Sequence, residues 1–300
     1  MEEMLLAESR LENINAVEPI LSALRTVSHG TWQKAKVKAA AVKDYSRRIQ
    51  WMTTTLLSSF SENKSTFVNQ FETDDSTVLI LALGSERGLC GQFNTAVLQK
   101  LRDFTVDPEK SGKTFKVWSI GSRFTRILSR GLAPPEWSSA FSTGALPSFS
   151  MASNLCRQLL DTYESGRIDE VLVVYNESTR SGTVETRQTK LIPPDPAVLL
   201  HFEDNQAYSS TSWPPPIIET DPRKLLKRLL GDSLTIRLYE YLLISTAAEN
   251  ATRFFLMEEA TQNVERLIDE LEVLVQLDRQ QKITQEMGEL AAGSGLIKVD

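Results

Sequence analysis

Histidine is nearly missing from this chain. Its 300 residues hold two, His29 and His201, and neither stands in a recognised acid-base or metal-ligand spacing. A Ser/His/Asp constellation or an imidazole metal site is therefore not expected. Cysteine is as scarce: Cys90 and Cys156 make neither a disulfide framework nor a metal site, and such usage fits a reducing, cytoplasmic compartment. No apolar run reaches the roughly 18 residues that a membrane-crossing helix needs, so no span is expected. Positive charge is not in excess. The net charge of -6 gives no global pull toward nucleic acid. The first residues, MEEMLLAESRLENINAV, are acidic. They match neither the basic-then-apolar pattern of a secretory leader nor the Arg-rich pattern of an organelle transit peptide. What remains, 41% apolar and 24% charged residues, is ordinary for a globular protein of one large or two small domains.

The chain reads in three parts: a helical segment over residues 1–70, an α/β domain over 71–220 and a second helical segment over 221–300. In the first part Ile14, Val17, Leu21 and Leu24 recur at alternating steps of three and four. Ala35, Val42, Tyr45, Ile49, Met52 and Leu56 continue the alternation, with Lys38 as a polar intruder. Such spacing is the seam of a coiled coil. Pro19 conflicts with it, because an interior proline removes a backbone hydrogen bond, and a kink or a separate leading helix is expected there. In the middle part the apolar runs TVLILAL (77–83), FKVWSIG and DEVLVVYNE read as strands buried on both faces. Helical stretches over 93–104, 123–130 and 150–163 lie between them, which implies a parallel sheet with helices on its faces. The segment around PPDP (193–196) and WPPP (213–216) reads as irregular, with room for an edge strand. In the last part Asp221 before Pro222 is a helix start, and Val264, Leu267, Leu271 and Leu274 repeat the seam, resumed by Ile283, Met287 and Leu290. A helix of that length cannot hide inside the α/β domain, and the first segment offers its matching stripe. An antiparallel two-helix coiled coil made of both terminal segments is the expected result.

Several motifs invite a chemical reading. GSERGLCGQFN (84–94) follows a strand and opens a helix, where backbone N–H groups can hold phosphate. Its spacing fits neither GxGxxG nor the P-loop, so a tight strand-to-helix turn competes with that reading. Cys90 within it reads as a small buried side chain rather than a reactive thiol. Lys34, Lys36, Lys38, Lys43, Arg47 and Arg48 make the first segment basic, and Glu258, Glu259, Glu265, Asp269, Glu270 and Glu272 make the last one acidic. Two solvated faces of complementary charge account for this, and contact with a surrounding partner is the competing reading. The weakly charged end ITQEMGELAAGSGLI (283–297) reads either as insertion into a sleeve on another protein or as a tail folded back.

Four segments together resemble one family: GSERGLCGQFN, IGSRFTRILSRG, DEVLVVYNE and the long run from Ala248 to Gly293. The last matches, roughly, SE-x-AAR, then M-x-A-M-x-x-AT-x-NA-x-x-LI, then RQ-x-x-ITQE. Glu249, Arg253, Met257, Ala260, Thr261, Asn263, Arg279, Gln280, Ile283, Thr284 and Glu286 are among the residues in those places. This is similar to the gamma subunit of F-type ATP synthases. The resemblance implies terminal helices wound together plus a Rossmann-like α/β domain that binds no nucleotide and needs no cofactor. It implies a non-catalytic rotor shaft, coupling ion-driven rotation of the membrane c-subunit ring to ATP synthesis or hydrolysis in the alpha/beta hexamer. The implied partners are the alpha, beta and epsilon subunits and that ring, on the cytoplasmic face of a bacterial inner membrane. Arg253, Gln280 and Thr284 match polar residues that contact the beta subunit, as an exposed, breakable catch. Ser85, Glu86 and Arg87 match a loop at the foot of the rotor. The family's KITKAM-x-MV reads Pro19–Val27 here, with Leu24 in the methionine's place, and its Tyr-Asn reads Val275-Gln276, so the chain reads as a divergent member. The alternative is a stand-alone α/β nucleotide- or phosphate-binding protein with helical arms.

Overall fold

The computed structural model describes residues 2–58, 76–105, 113–140, 146–179, 183–194 and 217–293. In chain order they form α1 (Glu2–Ser58), β1 (Thr77–Leu83), α2 (Phe93–Thr105), β2 (Thr114–Ile120), α3 (Ser122–Gly131), β3 (Trp137–Ser139), α4 (Phe149–Glu164), β4 (Glu170–Ser178), β5 (Val184–Ile192) and α5 (Pro222–Gly293). The WPPP segment and the end beyond Gly293 lie outside the described residues. The chain divides into two compact units: Met1–Ser28 with Phe254–Asp300, and His29–Arg253.

The second unit is built on a five-stranded sheet of order β3-β2-β1-β4-β5. Strands β1 to β4 are parallel, while β5 runs antiparallel to β4 with an irregularity beside Val171. An all-parallel sheet is the sequence expectation, and β5 corrects it. VETRQTKLI mixes charged and apolar residues because an edge strand has one wet side, so it lacks the apolar run that marks β1 and β4. β3, only three residues long, carries no such run either.

β1 is apolar throughout because both of its faces are covered. Leu79, Leu81 and Leu83 point into a core with Ile120, Val171 and Val173, closed by Leu155 and Leu159 of α4 and Leu238 and Leu242 of α5. Val78, Ile80 and Ala82 point the other way, against Val97 and Leu101 of α2 and Phe124 and Leu128 of α3. The side-chain alternation of a strand thus feeds two cores from one run of seven residues. α4 starts where the Ser148 hydroxyl accepts the Met151 N–H at 3.1 Å, and α5 where the Asp221 carboxylate accepts the Arg223 N–H at 2.9 Å.

Within this unit α1 packs Ala35, Val42, Ile49 and Leu56 inward at a spacing of seven, with Ala39, Ser46 and Thr53 beside them. Ile49 and Leu56 meet Leu226, Leu229 and Ile236 of α5. Tyr45 and Met52 face outward, as does Lys38, which corrects half of the expected seam. α5 is covered on nearly all sides between Ser233 and Arg253. A helix with that much burial shows no single stripe in its sequence.

The first unit pairs the remaining parts of the two long helices. Two ion pairs, Arg25–Glu258 at 2.9 Å and Arg279–Glu8 at 3.1 Å, fix their directions as opposite. On α1, Leu11, Ile14, Glu18, Leu21, Arg25 and Ser28 turn toward the partner helix, while Val17 stays exposed. On α5 the inward series is Met257, Thr261, Val264, Ile268, Leu271 and Val275. The expected partners Leu267 and Leu274 are exposed instead, as are Ile283, Met287 and Leu290. α1 continues through Pro19 as one helix, with no separate leading helix. Pro19 and Asn15, whose carbonyl loses its helical donor, are both exposed, so water can serve that carbonyl.

Candidate functional site

The residues singled out in the sequence fall in both units. Ser85, Glu86, Arg87 and Arg253 belong to the sheet-bearing unit, and Gln280 and Thr284 to the paired-helix unit.

The segment from Gly84 to Gly91 leaves the end of β1 and is held by its own side chains. The Gly84 N–H donates to the Ile120 carbonyl at 2.9 Å, which draws it against β2. The Ser85 N–H donates to the Asn94 side-chain oxygen at 3.0 Å, the Asn94 amide donates to the Ser85 hydroxyl at 2.7 Å, and that hydroxyl donates to the Arg87 carbonyl at 2.8 Å. Glu86 accepts from the Ser122 N–H at 3.0 Å and from its hydroxyl, tying the segment to the start of α3. These bonds hold the segment as a turn braced by its own side chains, the reading that the geometry favours over a phosphate loop. Ser85 is buried, Glu86 partly so, and Arg87 and Leu89 stand exposed, Leu89 with a φ of 60°.

Cys90 is buried, and burial pushes its thiol up from the ordinary range, so it is a packing residue beside Phe93 and Ala248. Cys156 is likewise buried on α4 and its thiol is raised for the same reason. Among the described residues no three His, Cys, Asp or Glu side chains are grouped to hold a metal ion.

Arg253 departs from the expected exposed catch. It is 5% exposed. Its guanidinium donates to the Glu249 carboxylate at 2.6 Å, to the Asn250 side-chain oxygen at 3.1 Å and to the Gly88 carbonyl at 3.2 Å. Burial raises the Glu249 carboxyl above the usual carboxylate range, and Arg253 works against that rise by its charge and its hydrogen bond. Asn94, Glu249 and Asn250 are the polar partners that sequence reasoning did not name as site residues. Their signal was present: Glu249 and Arg253, with Asn250 between them, are the only charged residues between positions 241 and 257 of α5.

Gln280 and Thr284 are exposed and one helical turn apart. They line a shallow, open depression together with Leu277, Gln281 and Gln285. The Thr284 hydroxyl donates to the Gln280 carbonyl at 2.8 Å, which leaves its oxygen lone pairs free to accept. No helix among the described residues is long and apolar enough to cross a membrane.

Comparison with known proteins completes the description. A family model described as ATP synthase matches residues 4–295. The ATP synthase gamma chain of Rhodospirillum rubrum is 29% identical over 301 residues, covering 96% of this chain and 97% of that one. The ATP synthase gamma chain of Granulibacter bethesdensis is 28% identical over 291 residues, covering 95% and 96%. In fold, the chain is similar to a chain of the rotor of Euglena gracilis mitochondrial ATP synthase in rotational state 1, with a TM-score of 0.60 at 13% identity over 94% of this chain and 99% of that one. It is also similar to one from the central stalk and c-ring assembly of Tetrahymena thermophila mitochondrial ATP synthase, with a TM-score of 0.57 at 16% identity over 80% and 99%.

Proposed function

Because this chain belongs to the ATP synthase family as a gamma chain, the rotor shaft of an F-type complex, we propose how its parts divide that work. The terminal helices form an antiparallel coiled coil held inside a hexamer of alternating alpha and beta subunits. The Rossmann-like sheet unit meets the epsilon subunit and the c-subunit ring at the cytoplasmic face of a bacterial membrane. Ion flow turns the ring, the ring turns the chain, and an asymmetric shaft drives the three beta sites through different affinities in turn.

The observation that carries this reading is the family match over nearly the whole chain, from residue 4 to residue 295. The inward positions of α1 and α5 support the coiled coil, because they repeat at alternating steps of three and four over several turns. The strand order 3-2-1-4-5 supports the Rossmann-like reading, being the order of one doubly wound half with its neighbour strands. The exposed Ile283, Met287 and Leu290 support insertion of the last turns of α5 into a sleeve, since a free helix end would normally be polar.

Gln280 and Thr284 supply the catch on the beta subunit. Exposed neutral amide and hydroxyl groups make hydrogen bonds of about 1 kcal/mol net, strong enough to register a position and weak enough to break at every step. Glu86 and Arg87 face the foot of the rotor. The test uses the assembled complex. Gln280→Ala is expected to lower ATP turnover several-fold with subunit stoichiometry intact; full turnover in a correctly assembled complex would remove the catch. Gentle detergent extraction is expected to recover this chain together with alpha, beta, epsilon and c subunits.

A further inference from the structure

We propose that Arg253 is a positioning residue that works inside its own chain: it ties the carbonyl of Gly88 to α5 and thereby sets how the exposed tip Arg87–Leu89 is presented. This inference concerns the isolated chain and does not depend on the beta-subunit catch assigned to Gln280 and Thr284.

The guanidinium is divided among three acceptors. Glu249 and Asn250 lie one turn back on the same helix and fix its orientation. That leaves Nε aimed at Gly88, 165 residues away in sequence, at 3.2 Å. A planar fork with five donors suits this task, whereas a single ammonium cannot serve all three acceptors in one geometry. One turn earlier on α5, Ala248 packs against Cys90 and Phe93. The segment therefore rests on α5 at two points, one polar at Gly88 and one apolar at Cys90, on either side of Leu89.

The tip requires such support. Leu89 is 60% exposed and sits in the left-handed region at φ 60°, a conformation that leucine does not favour by itself. Without the bond at Gly88, the backbone on the N-terminal side of Leu89 loses its attachment to the helix. The bonds from Ser85 and Asn94 would still hold the base of the segment. A buried arginine that makes these contacts has few donors left for another subunit, so its influence on any partner would pass through Arg87 and Leu89.

The two cysteines provide the test, because one lies in the segment and the other in a different part of the same unit. The full-length chain is exposed to a small alkylating reagent, and each cysteine is followed by peptide mass. Arg253→Ala is expected to raise the labelling rate of Cys90 about ten-fold or more, as loss of a charge-assisted bond predicts, while Cys156 keeps its rate. Arg253→Lys, which retains the charge beside Glu249 but not the fork, is expected to raise the Cys90 rate by a smaller factor, and it serves alone should the alanine variant fail to fold. An unchanged Cys90 rate in the soluble variants would overturn the proposal. So would a parallel rise at both cysteines, which would mark Arg253 as a support of the whole unit. Neither result would touch the turnover test on Gln280.

Discussion

A side chain at Gly84 would collide with the core. A Cβ placed there lies 2.1 Å from the Cβ and Cγ of Phe124, and Phe124 is fully buried between β1 and α3. Gly84→Ala therefore forces a shift of either the β1 end or α3. A cost of about 1–3 kcal/mol is expected, visible as a lower Tm in thermal unfolding. Tyr241 offers a second residue-level check. Its ring stacks on Tyr175 with centroids 4.9 Å apart, and burial pushes its hydroxyl up to about 12. In the unfolded chain it ionises near 10, so between about 10 and 12 the unfolded state releases a proton that the folded state keeps. Stability is expected to fall as pH rises through that window, and Tyr241→Phe should flatten the loss in alkaline denaturation curves. At this scale the sequence was legible where chemistry is local. Cys90 reads as a packing residue and Asp221 as a helix cap from their neighbours alone. Arg253 was not legible, because its partner Gly88 comes from the far side of the sheet's sequence, and an arginine on a helix is by default a surface residue.

Helix register is decided at the scale of the element. Along α1 and α5 one series of inward positions was correctly legible: Ile14, Leu21, Ala35, Val42, Ile49 and Leu56 on the first, Val264 and Leu271 on the second. The interleaved series sits one residue later than periodicity alone places it, except at Leu24, which is half-buried beside Arg25. Large apolar side chains at Val17, Tyr45, Met52, Leu267 and Leu274 attract the eye, yet the helices turn Glu18, Ser46, Thr53, Ile268 and Val275 inward. Ser46 and Thr53 are small enough to let two helices approach, Ile268 and Val275 are apolar themselves, and the long stems of Glu18 and Arg25 can cover apolar surface while their charged ends reach water. Periodicity alone cannot separate a step of three from a step of four when both neighbours are plausible. The two registers differ by a simple experiment. Val275 is 5% exposed and Leu274 is 55% exposed. Val275→Asp is expected to cost several kcal/mol by burying an unpaired charge, while Leu274→Asp should stay within about 0.5 kcal/mol. Equal losses in denaturant unfolding would restore the earlier register. The strands follow the same logic. β1 and β4 were legible because both faces are dry, and β5 was not because an edge strand resembles a loop in composition.

For the molecule as a whole, the family and the rotor role were legible because the long run ending at Gly293 is specific, whereas the division into compact units was not. That division places the inner parts of both long helices with the sheet. It depends on contacts between segments more than a hundred residues apart, which no local pattern records. The internal bracing of the Gly84–Gly91 segment makes a prediction at this scale as well. Calorimetric titration of the purified chain with magnesium ATP is expected to show no binding, and a tight, stoichiometric heat would revive the stand-alone nucleotide-binding reading. A last consequence follows from the burial of α5 between Ser233 and Arg253. Leu238 and Leu242 close one face of the sheet, yet a ribosome makes them after all five strands. During synthesis, the core of Leu79, Leu81 and Leu83 is closed by α4 alone until Leu238 and Leu242 have been made. The nascent chain is thus a natural client for chaperones that shield apolar surface, and truncation before Leu234 should yield aggregates rather than a smaller folded protein.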